Sequence, residues 1–191
     1  VATTTHLYQM VETAVEARQL AQILAQQPSV AFDTETTSLD TLDAELVGMS
    51  FSPAKGKAYY VPVPLDRAAA QEMVDAFTPF WASLGEKIGQ NIKYDISVLM
   101  NYGVELKGQL FDTMIAHYLI QPDMRHNMDI LAETYLNYQC ISIESLIGTG
   151  RNQKNMRDLS PDEILDYAAE DADITYQLKE IFEPKLLETG V

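Results

Sequence analysis

Val30-Ala31-Phe32-Asp33-Thr34-Glu35-Thr36 is the stretch on which the reading of this chain turns. An apolar run leads into two carboxylates one residue apart. Side chains alternate between the faces of an extended strand, so Asp33 and Glu35 share one face and Phe32 and Thr34 the other. Two like charges on one buried face repel each other unless something positive lies between them. Alone, the pair fits a strand that frays into a polar loop better than it fits a divalent cation site. The second reading requires further carboxylates from elsewhere in the chain.

On the N-terminal side, a strand is read at residues 6–11 and a helix over about 12–27, with Val15, Leu20, Ile23 and Leu24 apolar and Thr13 with Glu16 as a capping box. Pro28 ends that helix. On the C-terminal side, strands are expected at Leu46–Ser52 and Ala58–Val63, joined by a turn holding Pro53, Lys55 and Gly56. Asp66 caps a helix expected to reach about Leu84, with Val74, Phe77 and Trp81 on its inner side. A short strand at Lys87–Gln90, a helix at Asn91–Tyr102, a strand at Leu110–Phe111, a helix capped by Asp112 and a helix at Met128–Leu136 follow. Such alternation implies parallel strands with crossover helices. The expected fold is α/β, with a mixed sheet that is antiparallel over its first three strands and parallel later, in one domain covering residues 1–191.

The bulk composition narrows the function. The chain has 191 residues, 47% of them apolar, and no run of eighteen apolar residues that would span a membrane. No signal peptide is evident. A single cysteine, Cys140, makes no internal disulfide, which suits a reducing cytoplasm. The chain begins at Val1 rather than Met, as a piece of a longer protein would. Its net charge of −15 argues against gripping duplex nucleic acid through phosphates. A metal-dependent nuclease can still be acidic, because its cations supply the positive charge. Arg151, Lys154 and Arg157 fall in the irregular stretch 148–157, read either as a solvated loop or as a flexible lip that touches phosphates.

Ser160-Pro161-Asp162-Glu163 starts the last helix, expected to run to about Phe182 with Pro184 marking its end. Ile164, Tyr167, Ala168, Asp171 and Leu178 share its inward face. Asp171 there fits an ordinary buried ion pair or a metal ligand equally well. Glu170 and Asp173 fall off this stripe and are expected in solvent. Asp95 stands where a strand end turns into a helix, a place where α/β proteins seat ligands. The helix dipole alone would also favour an acid at that position.

Asp33-Thr34-Glu35-Thr36, Gln90-Asn91-Ile92-Lys93-Tyr94-Asp95 and Tyr167-Ala168-Ala169-Glu170-Asp171-Ala172-Asp173 resemble the three motifs of the DEDD 3′–5′ exonucleases, in the wording of the proofreading domains of bacterial DNA polymerases I. Asn101–Leu106 and Phe111–Met114 also look like those domains, so the resemblance covers essentially the whole chain. It implies a ribonuclease H-like fold. Tyr167 stands four residues before Asp171, which resembles the Tyr branch of the family; His6, His117 and His126 match no motif.

The resemblance further implies two divalent cations, Mg²⁺ or Mn²⁺, with Zn²⁺ admissible at one site. Asp33, Glu35 and Asp171 would hold the ion that activates water, Asp33 bridging to a second ion that Asp95 approaches through waters. Tyr167 would orient the attacking water. A single-stranded DNA 3′ end would be the substrate, met by Thr34, Leu39, Gln90, Asn91, Tyr94, Arg151 and Lys154; Leu39 and Tyr94 are equally readable as packing residues. Relatives can offer an aromatic residue from the loop around 148–157, and Met156 is the nearest candidate here. The implied partner is a polymerase domain following Val191, in a monomer. An RNA exonuclease of the RNase D type shares the four acids, and a non-catalytic support module would not need them.

Overall fold

Strand β2 (Ser29–Thr36) carries Asp33 and Glu35 through the middle of a six-stranded sheet in the computed structural model, which describes residues 5–190. It pairs antiparallel with β3 (Leu46–Ala54), and β3 pairs antiparallel with β4 (Lys57–Pro62). On its other edge, β2 runs parallel to β5 (Glu86–Gly89), and β5 runs parallel to β6 (Leu110–Asp112). The antiparallel set is therefore β2 to β4, followed by parallel strands as expected. The strand that comes first in sequence, β1 (Leu7–Met10), stands apart from that set and runs parallel to β4 at the sheet edge.

One face of the sheet is covered by α1 (Ala14–Ala25), α2 (Arg67–Asp75), α3 (Thr78–Trp81) and α4 (Ile92–Met100). Phe32 and Phe51 pack there against Phe77, Phe80 and Trp81. Thr13 caps α1 by accepting from Glu16 N, and its hydroxyl donates to Glu16 Oε1. The single helix expected over 66–84 is two helices. Pro79 is the cause: it has no amide hydrogen, and its ring would strike the carbonyl of Asp75 in a continuous helix.

The other face holds α5 (Thr113–Ile120), α6 (Met128–Leu131) and α8 (Pro161–Thr189). The helix expected over 128–136 shifts hydrogen-bond register at Ala132 and continues as a π-helical turn to Leu136. A short α7 (Ile143–Ile147) was not anticipated, although Ser142 caps it and Ile143, Leu146 and Ile147 have helical spacing. His117 is fully buried, bonded to His126 at 2.6 Å and Tyr135 at 3.0 Å, a core role.

Helix α8 runs across β2, β3 and β4 and brings Asp171 over the sheet. It continues through Pro184 instead of ending there. Ile181, Phe182 and Leu186 pack in one apolar cluster, which holds the last turns helical despite the lost hydrogen bond. No helix among the described residues is long and apolar enough to cross a membrane.

Candidate active site

Two alternate residues of β2 and one of α8 build the centre of the site. One carboxylate oxygen from each of Asp33, Glu35 and Asp171 lies within 4.8 Å of the others. Glu35 is buried, and its Oε1 has no hydrogen-bond partner. A cleft of about 290 Å³ opens at this point. Its described lining includes five carboxylates, from Asp33, Glu35, Asp95, Asp129 and Asp171, and no lysine or arginine.

This arrangement costs free energy as it stands. Burial pushes the Asp33 carboxyl up to about 6. Glu35 is held well above the ordinary carboxylate range by burial first, then by Asp33 and Asp171. Asp171 is raised by burial, then by Asp33 and Glu170. Asp95 is raised by burial and by Asp33. A native protein retains such mutual repulsion where another species relieves it. Three hard oxygen donors, one of them buried and without a partner, suit a divalent cation.

Asp95 reaches the site by a different route. Strand β5 accompanies β2 only as far as Ala31, so the β2 edge beyond is free of a strand partner on that side. The Asp95 carboxylate takes the place of one: its Oδ1 accepts from Thr34 N and from Thr34 Oγ1. Asp95 lines the cleft but stands outside the close trio. Tyr167, one turn before Asp171 in α8, lines the same cleft, and its hydroxyl is raised far above the usual phenol range by burial and then by Asp171, Glu35 and Asp33.

The residues expected to meet substrate divide into groups. Thr34, Gln90, Asn91 and Tyr94 all line the cleft. Thr34 spends its hydroxyl on Asp95. The Gln90 amide bonds Thr113 Oγ1 and, at 2.7 Å, the His126 carbonyl. The Tyr94 hydroxyl donates to Ser38 O at 2.6 Å, which makes it a strut for the 36–38 turn. Asn91 adopts the left-handed conformation, and its backbone N–H donates to Asp112 Oδ1. Asp112 thus links the start of α4 to α5, whose Met114 N it also caps. Leu39 is 93% exposed beside the motif and free of packing.

Two expectations are overturned, those for Met156 and for Glu170 with Asp173, and the basic stretch 148–157 sits outside the cleft. Met156 does not reach the cleft; it is buried with Val47, Tyr60 and Leu159, because its short 3₁₀ turn points the apolar side chain inward. Arg151 and Lys154 are exposed but do not line the cleft, and Arg157 is a strut that donates to the carbonyls of Leu46 and Val63. Glu170 and Asp173 are buried rather than solvated. Helix α8 is covered on more than its stripe: Glu170 accepts from Tyr138 and Ile141, and Asp173 from Tyr8, Gly56 N and Gln177.

The cleft also holds Met128, Asp129, Ile141 and Ile143, which sequence reasoning passed over. The signal for Ile143 was the Ser142 cap that places it at the start of α7. Asp129 is set by the first turn of α6, and nothing in its local sequence marks it.

Comparisons with known proteins agree with the geometry. The profile of the family described as 3′-5′ exonuclease matches residues 8–187. DNA polymerase I of Borreliella burgdorferi is 36% identical over 184 residues, covering 95% of this chain and 20% of that protein. The chain therefore spans about a fifth of the length of that relative. Escherichia coli RNase D superposes with a TM-score of 0.73 at 20% identity, covering 96% of this chain and 46% of that one. Brucella melitensis NrnC with bound Mg²⁺ superposes with a TM-score of 0.69 at 20% identity, covering 98% of this chain and 84% of that one. These two likenesses establish the ribonuclease H-like fold. With that profile matched over residues 8–187 and DNA polymerase I relatives 36% and 38% identical over 95% and 82% of its length, this chain belongs to the 3′-5′ exonuclease family as it occurs in DNA polymerase I.

Proposed function

We propose that this domain removes nucleotides from the 3′ ends of single-stranded or frayed DNA by metal-assisted phosphodiester hydrolysis, releasing nucleoside 5′-monophosphates. The observation that carries the reading is the trio of Asp33, Glu35 and Asp171 oxygens within 4.8 Å, with Glu35 Oε1 buried and unpartnered. Asp33, Glu35 and Asp171 would hold one divalent cation, Mg²⁺ or Mn²⁺, and Asp33 with Asp95 would serve a second. Bound there, such ions lower the pKa of an attacking water and screen the phosphate charge.

The chain's own residues do the rest. Tyr167 hydrogen-bonds and orients the attacking water; its raised pKa makes the phenol a donor rather than a base at neutral pH. Thr34 fixes Asp95 through two bonds to one oxygen. Leu39 offers an exposed apolar edge against the bases next to the terminus. A cleft of about 290 Å³ suits the end of an unpaired strand, so a frayed end is the better substrate.

A polymerase domain after Val191, which itself lies outside the described residues, would deliver the strand. The match to a fifth of DNA polymerase I supports this partner, and tethering raises effective concentration where a chain of charge −15 binds phosphates weakly. The test compares initial rates on matched DNA, mismatched DNA and RNA of one sequence, with and without a chelator. Faster release from the mismatched DNA end, abolished by chelator, is expected. Preference for RNA would favour the RNase D type of activity, and metal-independent or absent release would overturn the proposal.

A further inference from the structure

Behind the cleft, Glu170 is only 2% exposed although it neighbours Asp171 in α8. Its carboxylate is fully engaged: Oε2 accepts from the Tyr138 hydroxyl at 2.6 Å, and Oε1 accepts from Ile141 N at 2.7 Å. Both donors belong to the irregular segment that leaves the π-helical turn through Asn137, in the left-handed conformation, and enters α7 at Ser142. At the head of that segment, Tyr138 N also donates to Ala132 O, at 3.2 Å. Ile141 and Ile143 form an apolar wall of the cleft that the acids line. Hydrogen bonds to an ionised acceptor are short and about twice as strong as neutral ones. Without Glu170, a backbone N–H and a phenol hydroxyl would both lose their acceptor.

We infer that Glu170 is a positioning residue: it latches the Ile141–Ile143 wall in place to seat the terminal nucleoside of the strand being cut. The inference rests on the proposed exonuclease reading of the same site. Asp171 faces the reacting end of the cleft, while Glu170, the next residue back, ties down the surface on which base and sugar rest. In a cleft lined mostly by carboxylates, amides and two tyrosines, Met128, Ile141 and Ile143 supply the aliphatic surface against which a nucleobase can rest. The wall does not touch the scissile phosphate, so its displacement weakens binding of the end and leaves the chemical step intact.

The test uses the intact protein in Mg²⁺ without deoxynucleoside triphosphates. Single-stranded DNA ends either in an ordinary nucleotide or in an abasic one. Glu170→Ala is expected to raise KM for the ordinary end about tenfold, with kcat held within about twofold, and to leave the abasic end nearly unaffected. Glu170→Gln keeps an acceptor for Ile141 N and is expected to restore most of the loss. Tyr138→Phe removes one of the two bonds without unpairing the backbone; it is expected to give a smaller rise in KM and carries the test should the alanine variant not fold. Hydrogen exchange at the Ile141 amide is expected to quicken in Glu170→Ala. Unchanged KM in Tyr138→Phe and the folded Glu170 variants, or an equal penalty on ordinary and abasic ends, would overturn the inference while leaving the exonuclease reading standing. A wild type that releases no nucleotide from either end would overturn both.

Discussion

Thr34 donates twice to a single oxygen of Asp95, from its amide at 3.1 Å and from its hydroxyl at 2.5 Å. Thr34 lies between Asp33 and Glu35 in sequence, and its side chain leaves the opposite face of β2. The residue separating two acids of the site therefore fixes a third. The carboxylate from α4 thereby stands in for a strand partner on that edge of β2.

Thr34→Val keeps the β-branched shape and removes one of the two bonds. It is expected to cost about 1 kcal/mol of stability, since the remaining amide still holds Asp95. Exonuclease rate is expected to fall about tenfold, because one bond in place of two holds the Asp95 carboxylate less firmly in direction. Thermal melting and initial rates on single-stranded DNA, measured side by side, check both figures.

The acids also set a pH dependence of stability in the absence of metal. Burial lifts Asp33 to about 6, above its ordinary value near 4. The folded state then holds more protons than the unfolded chain between those values, so metal-free stability falls as pH rises through that window. Glu35, Asp95 and Asp171, raised in the same direction, extend the fall to higher pH. Asp33→Asn is expected to melt about 5 °C higher than wild type at pH 8 in chelator, with the gap closing towards pH 4. Melting curves across that range, repeated with Mg²⁺, check the sign; Mg²⁺ is expected to stabilise the wild type and not the variant.

Tyr167→Phe tests the division of labour between hydroxyl and carboxylates. With its phenol raised by burial and by three nearby acids, Tyr167 remains protonated through neutral pH. The variant is expected to lose about ten- to a hundredfold in kcat. The shape of its pH–rate profile is expected to match the wild type's, since no titration of this residue contributes to it. A rise of rate with pH that the wild type shows and the variant loses would show that Tyr167 acts as a base.

Gly48 pairs with Glu35 across β2 and β3, and a Cβ there would stand 2.3 Å from the Tyr60 hydroxyl. Tyr60 is buried and cannot swing away cheaply. Gly48→Ala is expected to cost about 1–3 kcal/mol by overpacking and to lower activity by disturbing Glu35. Denaturant unfolding with the exonuclease assay checks it.

The sequence made much of this site legible because its acids break local patterns. Asp33 and Glu35 follow an apolar run, and Asp171 interrupts the inward stripe of α8, so each is conspicuous against its own element. The hairpin of β3 and β4 was legible from its turn residues. What escaped depended on tertiary contact. Glu170 and Asp173 looked solvated because the periodicity of α8 says nothing of Tyr138 or Tyr8, which arrive from distant segments to cover them. Met156 is buried away from the cleft and Ile143, unread in the sequence, lines it, because which short turn points inward is decided by tertiary packing. Pro184 reads as a stop, and packing of Phe182 and Leu186 overrides it.

The central claim is that Asp33, Glu35 and Asp171 hold the cation at which a DNA 3′ end is cut. Its most direct test follows single-stranded DNA labelled at the 3′-terminal nucleotide, incubated in Mg²⁺ with the wild type, Asp33→Ala and Asp171→Ala, all shown to be folded. The wild type should release the label first and as a nucleoside 5′-monophosphate, with release abolished by chelator and reduced at least about a thousandfold in both variants. Near-normal release by either folded variant, or undiminished release in chelator, would contradict the account.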